Sequence, residues 1–135
     1  MSFILLSSEK SLKLNNKQEN KIMKVKLNDP PRRYNVGIQN QIEISDCGKV
    51  RLEADEQITL ITDAGMEHDV AAKTWGFYAT ASVNGRLVDQ GFKTAFVRNS
   101  FGRYYVMLVD RNCISEFEEY LSVEKLVVEE WLDER

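Results

Sequence analysis

Residues 74–110 read TWGFYATASVNGRLVDQGFKTAFVRNSFGRYYVMLVD, and they hold most of the aromatic side chains of the chain. Two turn signals divide them. Asn84-Gly85 tolerates positive φ at both central positions of a type I′ turn, whose twist suits paired strands. It predicts a hairpin joining Trp75–Val83 to Arg86–Val88. Asn99-Ser100-Phe101-Gly102 supplies two residues tolerant of left-handed backbone. It predicts a second hairpin joining Phe92–Arg98 to Arg103–Val109. Asp89-Gln90-Gly91 is a weaker break that suits a bulge. The stretch therefore reads as a β-meander.

Alternation assigns the faces. Phe92, Thr94, Phe96 and Arg98 oppose Lys93, Ala95 and Val97. Tyr104, Val106 and Leu108 oppose Tyr105, Met107 and Val109. The last strand is apolar on both sides, which predicts a central position with Met107 and Leu108 both buried.

Working outward, Ile42, Ile44, Val50 and Leu52 alternate with polar residues, and Asp46-Cys47-Gly48-Lys49 between them suits a tight turn. Ile58–Thr62 is β-branched and strand-like, and Asp63-Ala64-Gly65 ends it. Glu67–Lys73 reads as a strand continued by Trp75-Gly76-Phe77-Tyr78. Beyond Asp110 the pattern changes. Ile114, Phe117 and Leu121 form one helical face, and Asn112 or Ser115 can cap it, Ser115 with Glu118 at capping-box spacing. Leu126–Leu132 then reads as a final strand. The fold class that follows is α+β: a mainly antiparallel sheet, open or closed into a barrel, with one helix, Ile114–Leu121, and a strand after it.

The chain has 135 residues, enough for one core. Its 43% hydrophobic and 29% charged content is that of a globular domain. It has no 18-residue apolar run, and Met1–Leu6 is too short for a signal-peptide core, so we expect a cytoplasmic protein without a membrane span. Cys47 and Cys113 are too few for a disulfide framework. The net charge of −3 is unevenly spread. Residues 1–33 carry eight Lys/Arg against three Asp/Glu, whereas Glu116–Glu134 carries eight acids and Lys125 alone as a base. Nucleic-acid binders show a basic face on the folded part; here the folded part is acidic, so no nucleic acid is expected. We read residues 1–33 as a flexible basic arm and 34–135 as a single domain, with Pro30-Pro31 near the boundary.

Three sets of residues can carry chemistry. His68, the one histidine, sits between Glu67 and Asp69 and can serve as an acid/base. Strand alternation sends the two carboxylates to the opposite face, which argues for an ordinary polar histidine and against a metal. Cys47 and Cys113 lack a nucleophile signature, although Cys113 stands near a helix N-terminus, which would lower its pKa. The basic residues Lys73, Arg86, Arg98 and Arg103, with Trp75, Tyr78 and Tyr104, suit the wall of a site for an anionic sugar or nucleotide sugar. Forked donors and aromatic faces are what such ligands use. The same charges also serve to pair with the many acids and keep a sheet in solution. No glycine-rich phosphate loop is present, and we expect neither cofactor nor metal.

The run EHDVAAKTWGFYATASVNGRL (67–87), then GFKTAFVRNSFGRYYVMLV (91–109) and WLDE (131–134), resembles small bacterial proteins encoded among surface-polysaccharide genes. The likeness covers residues 56–134 and implies a role near glycan or nucleotide-sugar metabolism. It transfers no catalytic residue. The expected function is a non-catalytic accessory or ligand-binding protein. The alternatives are a small enzyme acting on an anionic sugar with His68 as acid/base, and an interaction protein working through its sheet. Two sheet edges and an aromatic-rich domain predict a homodimer.

Residues 1–22 lack an apolar pattern able to offset the entropy of ordering, so they are expected to be dispensable for folding. A truncation that begins at Met23 is expected to melt within a few degrees of the full chain. A collapse of its melting temperature would show that Phe3–Leu6 docks on the domain.

Overall fold

The computed structural model describes residues 23–135. Eight strands form three antiparallel sheets. β1 (Lys24–Val36) pairs with β2 (Ile42–Arg51) as a long hairpin. β3 (Gln57–Ile61), β4 (Glu67–Lys73) and β5 (Gly76–Tyr78) form a second sheet in that order. β6 (Phe92–Arg98), β7 (Tyr104–Asp110) and β8 (Val127–Trp131) form the third, in the order β7-β6-β8. A short turn of helix, α1 (Arg86–Asp89), precedes β6, and α2 (Ile114–Glu124) links β7 to β8. The class is α+β as the sequence indicates, with the helix and final strand in place. The described sheets stay separate and do not close into a barrel.

The Asn99–Gly102 hairpin forms as its turn residues dictate. Asn99 Oδ1 accepts from the backbone N–H of Phe101 and of Arg103, each at 2.9 Å, and Gly102 has φ +75°. β6, not β7, is central. It is buried along most of its length, with Ala95 and Val97 on one face and Phe92 and Thr94 on the other. β7 lies at the edge; Val109 is buried, but Met107 and Leu108 are only half-buried. Ala95, Val97 and Val109 make the core with Ile114, Phe117 and Leu121 of α2 and Trp131 of β8. Trp131 meets Phe117 edge-on at 5.9 Å.

Four further expectations are corrected. Asn84-Gly85 makes no hairpin. Gly85 has φ −131°, and Ser82 draws the chain into α1 by accepting from Arg86 N–H through Oγ (2.8 Å) and from Leu87 N–H through its carbonyl (3.0 Å). This sinks Leu87 fully into the interior, and burial outweighs turn preference. Asp46–Lys49 is not a turn but part of β2. The offset between the strands falls instead on β1, where Asn28–Pro31 bulge opposite Cys47. Pro30 and Pro31, with no N–H to give a ladder, suit such a bulge. Gly48 is required here: a Cβ would lie 2.2 Å from the Lys26 carbonyl oxygen. Residues 24–33 thus belong to a sheet rather than to the basic arm, whose remainder, 1–22, lies outside the described residues. Finally, β4 does not run on into Trp75; it turns at Thr74-Trp75 and returns as β5, with Lys73 opposite Gly76.

The helix start also differs. Neither Asn112 nor Ser115 caps it; Asp110 accepts from Asn112 N–H at 2.9 Å and opens a 3-10 turn, Arg111–Cys113, ahead of α2.

Leu87→Ala empties the largest fully buried site and is expected to cost about 2–5 kcal/mol in chemical denaturation. Ile61→Thr, on an exposed strand position, is expected to stay within about 0.5 kcal/mol. Comparable losses for the two would show that Leu87 is not an anchor.

Candidate functional site

A cleft of about 480 Å³ opens where the tip of the β1–β2 hairpin meets the third sheet and α2. Val36, Gly37 and Ile38 form one wall. The β6–β7 turn, with Phe101, and Tyr105 and Met107 of β7 form another; Tyr120 and Glu124 of α2 complete it. Phe101 is 80% exposed, and Tyr105 and Tyr120 show about two-fifths of their surface, so three aromatic rings face the opening. Asn99 donates its Nδ2 to the Tyr105 hydroxyl at 3.2 Å, so the residue that shapes the turn also fixes a ring of the wall.

Glu124 is the charged group of this cleft and is only 9% exposed. It ends α2, where a carboxylate opposes the helix dipole. Its compensation is a 2.8 Å bond accepted by Oε1 from Ile38 N–H. Gly37 makes that approach possible: its φ is +94°, and a Cβ would lie 2.8 Å from the same oxygen. Glu124 was hidden in the sequence among the acids of an apparently solvated face. The signal that could have found it is spacing: Glu124 stands seven residues after Phe117 and three after Leu121, on the apolar face of α2.

The sequence-selected residues do not line this cleft, and the structure divides them. Lys73, Trp75 and Tyr78 stand at the β4–β5 turn, with the two rings edge-on at 5.7 Å. Arg98, Arg103 and Tyr104 stand beside the β6–β7 turn, and Tyr104 stacks on Phe96 at 5.2 Å. Most of the cations are already paired. Lys73 binds Asp55, whose hydrogen bond raises the lysine pKa. Arg86 binds Asp69 at 2.6 Å. Arg98 binds Glu129, which raises its pKa in the same way. Arg103 has no ion-pair partner among the described residues, and it follows directly on the turn that carries Phe101.

His68 is the second residue of β4 and stands opposite Leu60. Its Nδ1 is buried without a hydrogen-bond partner. Asp69 points away from it to Thr59, whose Oγ1 donates at 2.7 Å, and to Arg86. The three side chains therefore do not converge. Among the described residues no group of three His, Cys, Asp or Glu could hold a metal ion. The Cys113 thiol is raised, not lowered: desolvation pushes it up, and the Asp110 and Glu116 carboxylates add to that. No helix of the described residues is long and apolar enough to cross a membrane.

No family model, curated protein or solved structure matches the chain.

At the opposite end of the third sheet, Asp133 closes the β6 ladder. Its Oδ1 accepts from Thr94 N–H at 2.9 Å and its Oδ2 from Lys93 Nζ at 3.1 Å. Desolvation acts to raise its pKa, but the Thr94 and Lys93 bonds outweigh it and hold the carboxyl below its ordinary value. Lys93 is raised, first by its bond to Asp133. A depressed carboxyl contributes stability above its unfolded pKa, near 4, that is lost as pH falls through the folded value. The lysine contribution is present below about pH 10 and is lost above its raised pKa. In acid titrations followed by thermal melting, Asp133→Asn is expected to lose stability at pH 7 and to flatten the decline below about pH 4. An unchanged acid limb would show that the staple contributes nothing.

Proposed function

We propose that the protein is a non-catalytic, ligand-binding accessory protein of bacterial glycan or nucleotide-sugar metabolism, and that it works as a homo-oligomer in the cytoplasm. The observation that carries the binding reading is the cleft with three aromatic rings and one sheltered carboxylate, Glu124. A sugar ring offers an apolar C–H face to Phe101, Tyr105 or Tyr120. Its hydroxyls donate to the Glu124 oxygen that Ile38 leaves free. Arg103, unpaired on the adjoining turn, suits the phosphate or carboxylate of an anionic sugar, since a guanidinium holds such groups with two parallel bonds. The free, exposed thiols of Cys47 and Cys113 support a reducing compartment. The sequence likeness to proteins encoded among polysaccharide genes supports the metabolic setting.

Several features favour binding over turnover. Glycoside hydrolysis uses a pair of carboxyl groups across the scissile bond; this cleft is lined by a single one. His68 lies in the second sheet and is not part of the cleft lining.

A thermal-shift screen against nucleotide sugars and neutral oligosaccharides tests the reading. A true ligand at a hundred times its Kd stabilises the native state by about 2.7 kcal/mol. The shift is expected to vanish in the double variant Phe101→Ala, Tyr120→Ala. Arg103→Ala is expected to weaken charged sugars and leave neutral ones unchanged. A screen in which no saccharide shifts the melting temperature would overturn the proposal. Turnover of a bound sugar that His68→Ala abolishes would establish the enzyme alternative instead.

A further inference from the structure

The two edges of the third sheet are built differently. The β8 edge carries Glu129 and Glu130, each tied to an arginine, and its pairing with β6 is interrupted by a register shift. Charges and irregularities of this kind keep other strands away. The β7 edge has neither. Tyr104-Tyr105-Val106-Met107-Leu108-Val109 is six residues without charge or proline. Its register with β6 is unbroken from Tyr104 to Asp110.

The ladder shows which backbone groups are free. Arg103 C=O accepts from Asn99 N–H, and Arg111 N–H donates to Gly91 C=O, each at 2.9 Å. Bonded and non-bonded residues alternate along an antiparallel pair. Tyr105, Met107 and Val109 therefore spend their N–H and C=O groups on β6. Those of Tyr104, Val106 and Leu108 point outward, as does the Asp110 N–H, whereas the Asp110 C=O is taken by the 3-10 turn that begins there. Tyr104 and Val106 are also more than half exposed.

We infer that β7 is the dimer interface: a second copy of the chain adds its own β7 antiparallel to this one, about a twofold axis at Met107, and makes one six-stranded sheet. The inference rests on the self-association proposed above and gives it a place. The strand complements itself in this register. Val106 of one copy stands opposite Leu108 of the other, and Tyr105 opposite Val109. These are aliphatic or aromatic–aliphatic pairs of the kind that stabilise neighbouring strands. Asp110, the one charged residue of the strand, meets Tyr104 and not another acid. The outward N–H and C=O groups of Val106 and Leu108 then all find partners, and the Asp110 N–H meets the Tyr104 C=O of the other copy. A contact through one shared patch with its own copy is the commonest form of closed symmetry.

The test uses the full chain. Light scattering is expected to give a mass of about 31 kDa, twice 15.6 kDa. Amide exchange is expected to show Val106, Leu108 and Asp110 protected in the dimer and exposed on dilution. Val106→Pro removes an outward N–H that the single copy does not use, so it is expected to stay folded and lose the dimer. A monomer at all concentrations overturns both self-association and this interface, and leaves the ligand cleft untouched. A dimer in which those three amides exchange freely, or one that persists in folded Val106→Pro, overturns the interface alone. If Val106→Pro fails to fold, the exchange pattern of the unmodified chain decides.

Discussion

Burial on both faces of one strand holds the molecule together. β6 presents Ala95 and Val97 to α2 and presents Phe92 and Thr94 to the other side, and all four are buried. Few other described residues reach that state; among them the remaining buried apolar side chains are Ala72, Leu87 and Val109. Each neighbour can be understood as cover for β6. β7 and β8 take its hydrogen bonds, α2 covers one face, and Leu87 belongs to the turn of helix just ahead of it. Where β8 runs out, the side chain of Asp133 takes the bond from Thr94 N–H that a longer strand would have taken. A buried N–H left unpaired there would cost about 1–3 kcal/mol.

This explains why some of the fold was legible in the sequence and some was not. The Asn99–Gly102 turn depends on local chemistry, the Asn99 side chain bonding two amides within four residues, and local chemistry is visible in one dimension. The helix face Ile114, Phe117 and Leu121 was visible for the same reason. Asn84-Gly85 had an equally good local signal but lost to a tertiary one: a hairpin there would have left Leu87 outside. Apolar residues on both faces of β7 suggested a central strand. β7 lies at the edge of its sheet instead, because alternation reports on the two faces of a strand and not on whether both of its edges are paired. The Asp46–Lys49 segment misled because a glycine that permits close backbone approach in a strand is spelled like a glycine that permits a turn.

The candidate site shows a related limit. Arginine, lysine and aromatic residues clustered in the sequence suggested an anion site, but clustering along the chain does not set distances in space. Asp55, Asp69 and Glu129 come from other segments and take up Lys73, Arg86 and Arg98. Pairs this exposed contribute little to stability. Their consequence is chemical, since a cation already engaged has less to offer a ligand. Arg103 keeps its interest because none of the described acids reaches it. The residues that do build the cleft come from the hairpin tip, the β6–β7 turn and the end of α2, and no local pattern joins them. Ile38 and Glu124, whose bond joins the hairpin tip to the helix end, are 86 residues apart.

The exposed apolar surface follows from the small core. Tyr34, Val36, Ile44 and Val50 show much of their area on the hairpin, as do Leu60, Trp75, Phe77 and Tyr78 on the second sheet. A two-stranded hairpin standing alone in water is marginal. Here it is anchored at its tip by the bond between Ile38 and Glu124, and that bond also shapes the cleft. The cleft and the hairpin anchor are therefore one structure. A molecule that filled the cleft would also brace the hairpin against α2, so its binding and the ordering of the hairpin would favour each other by linkage.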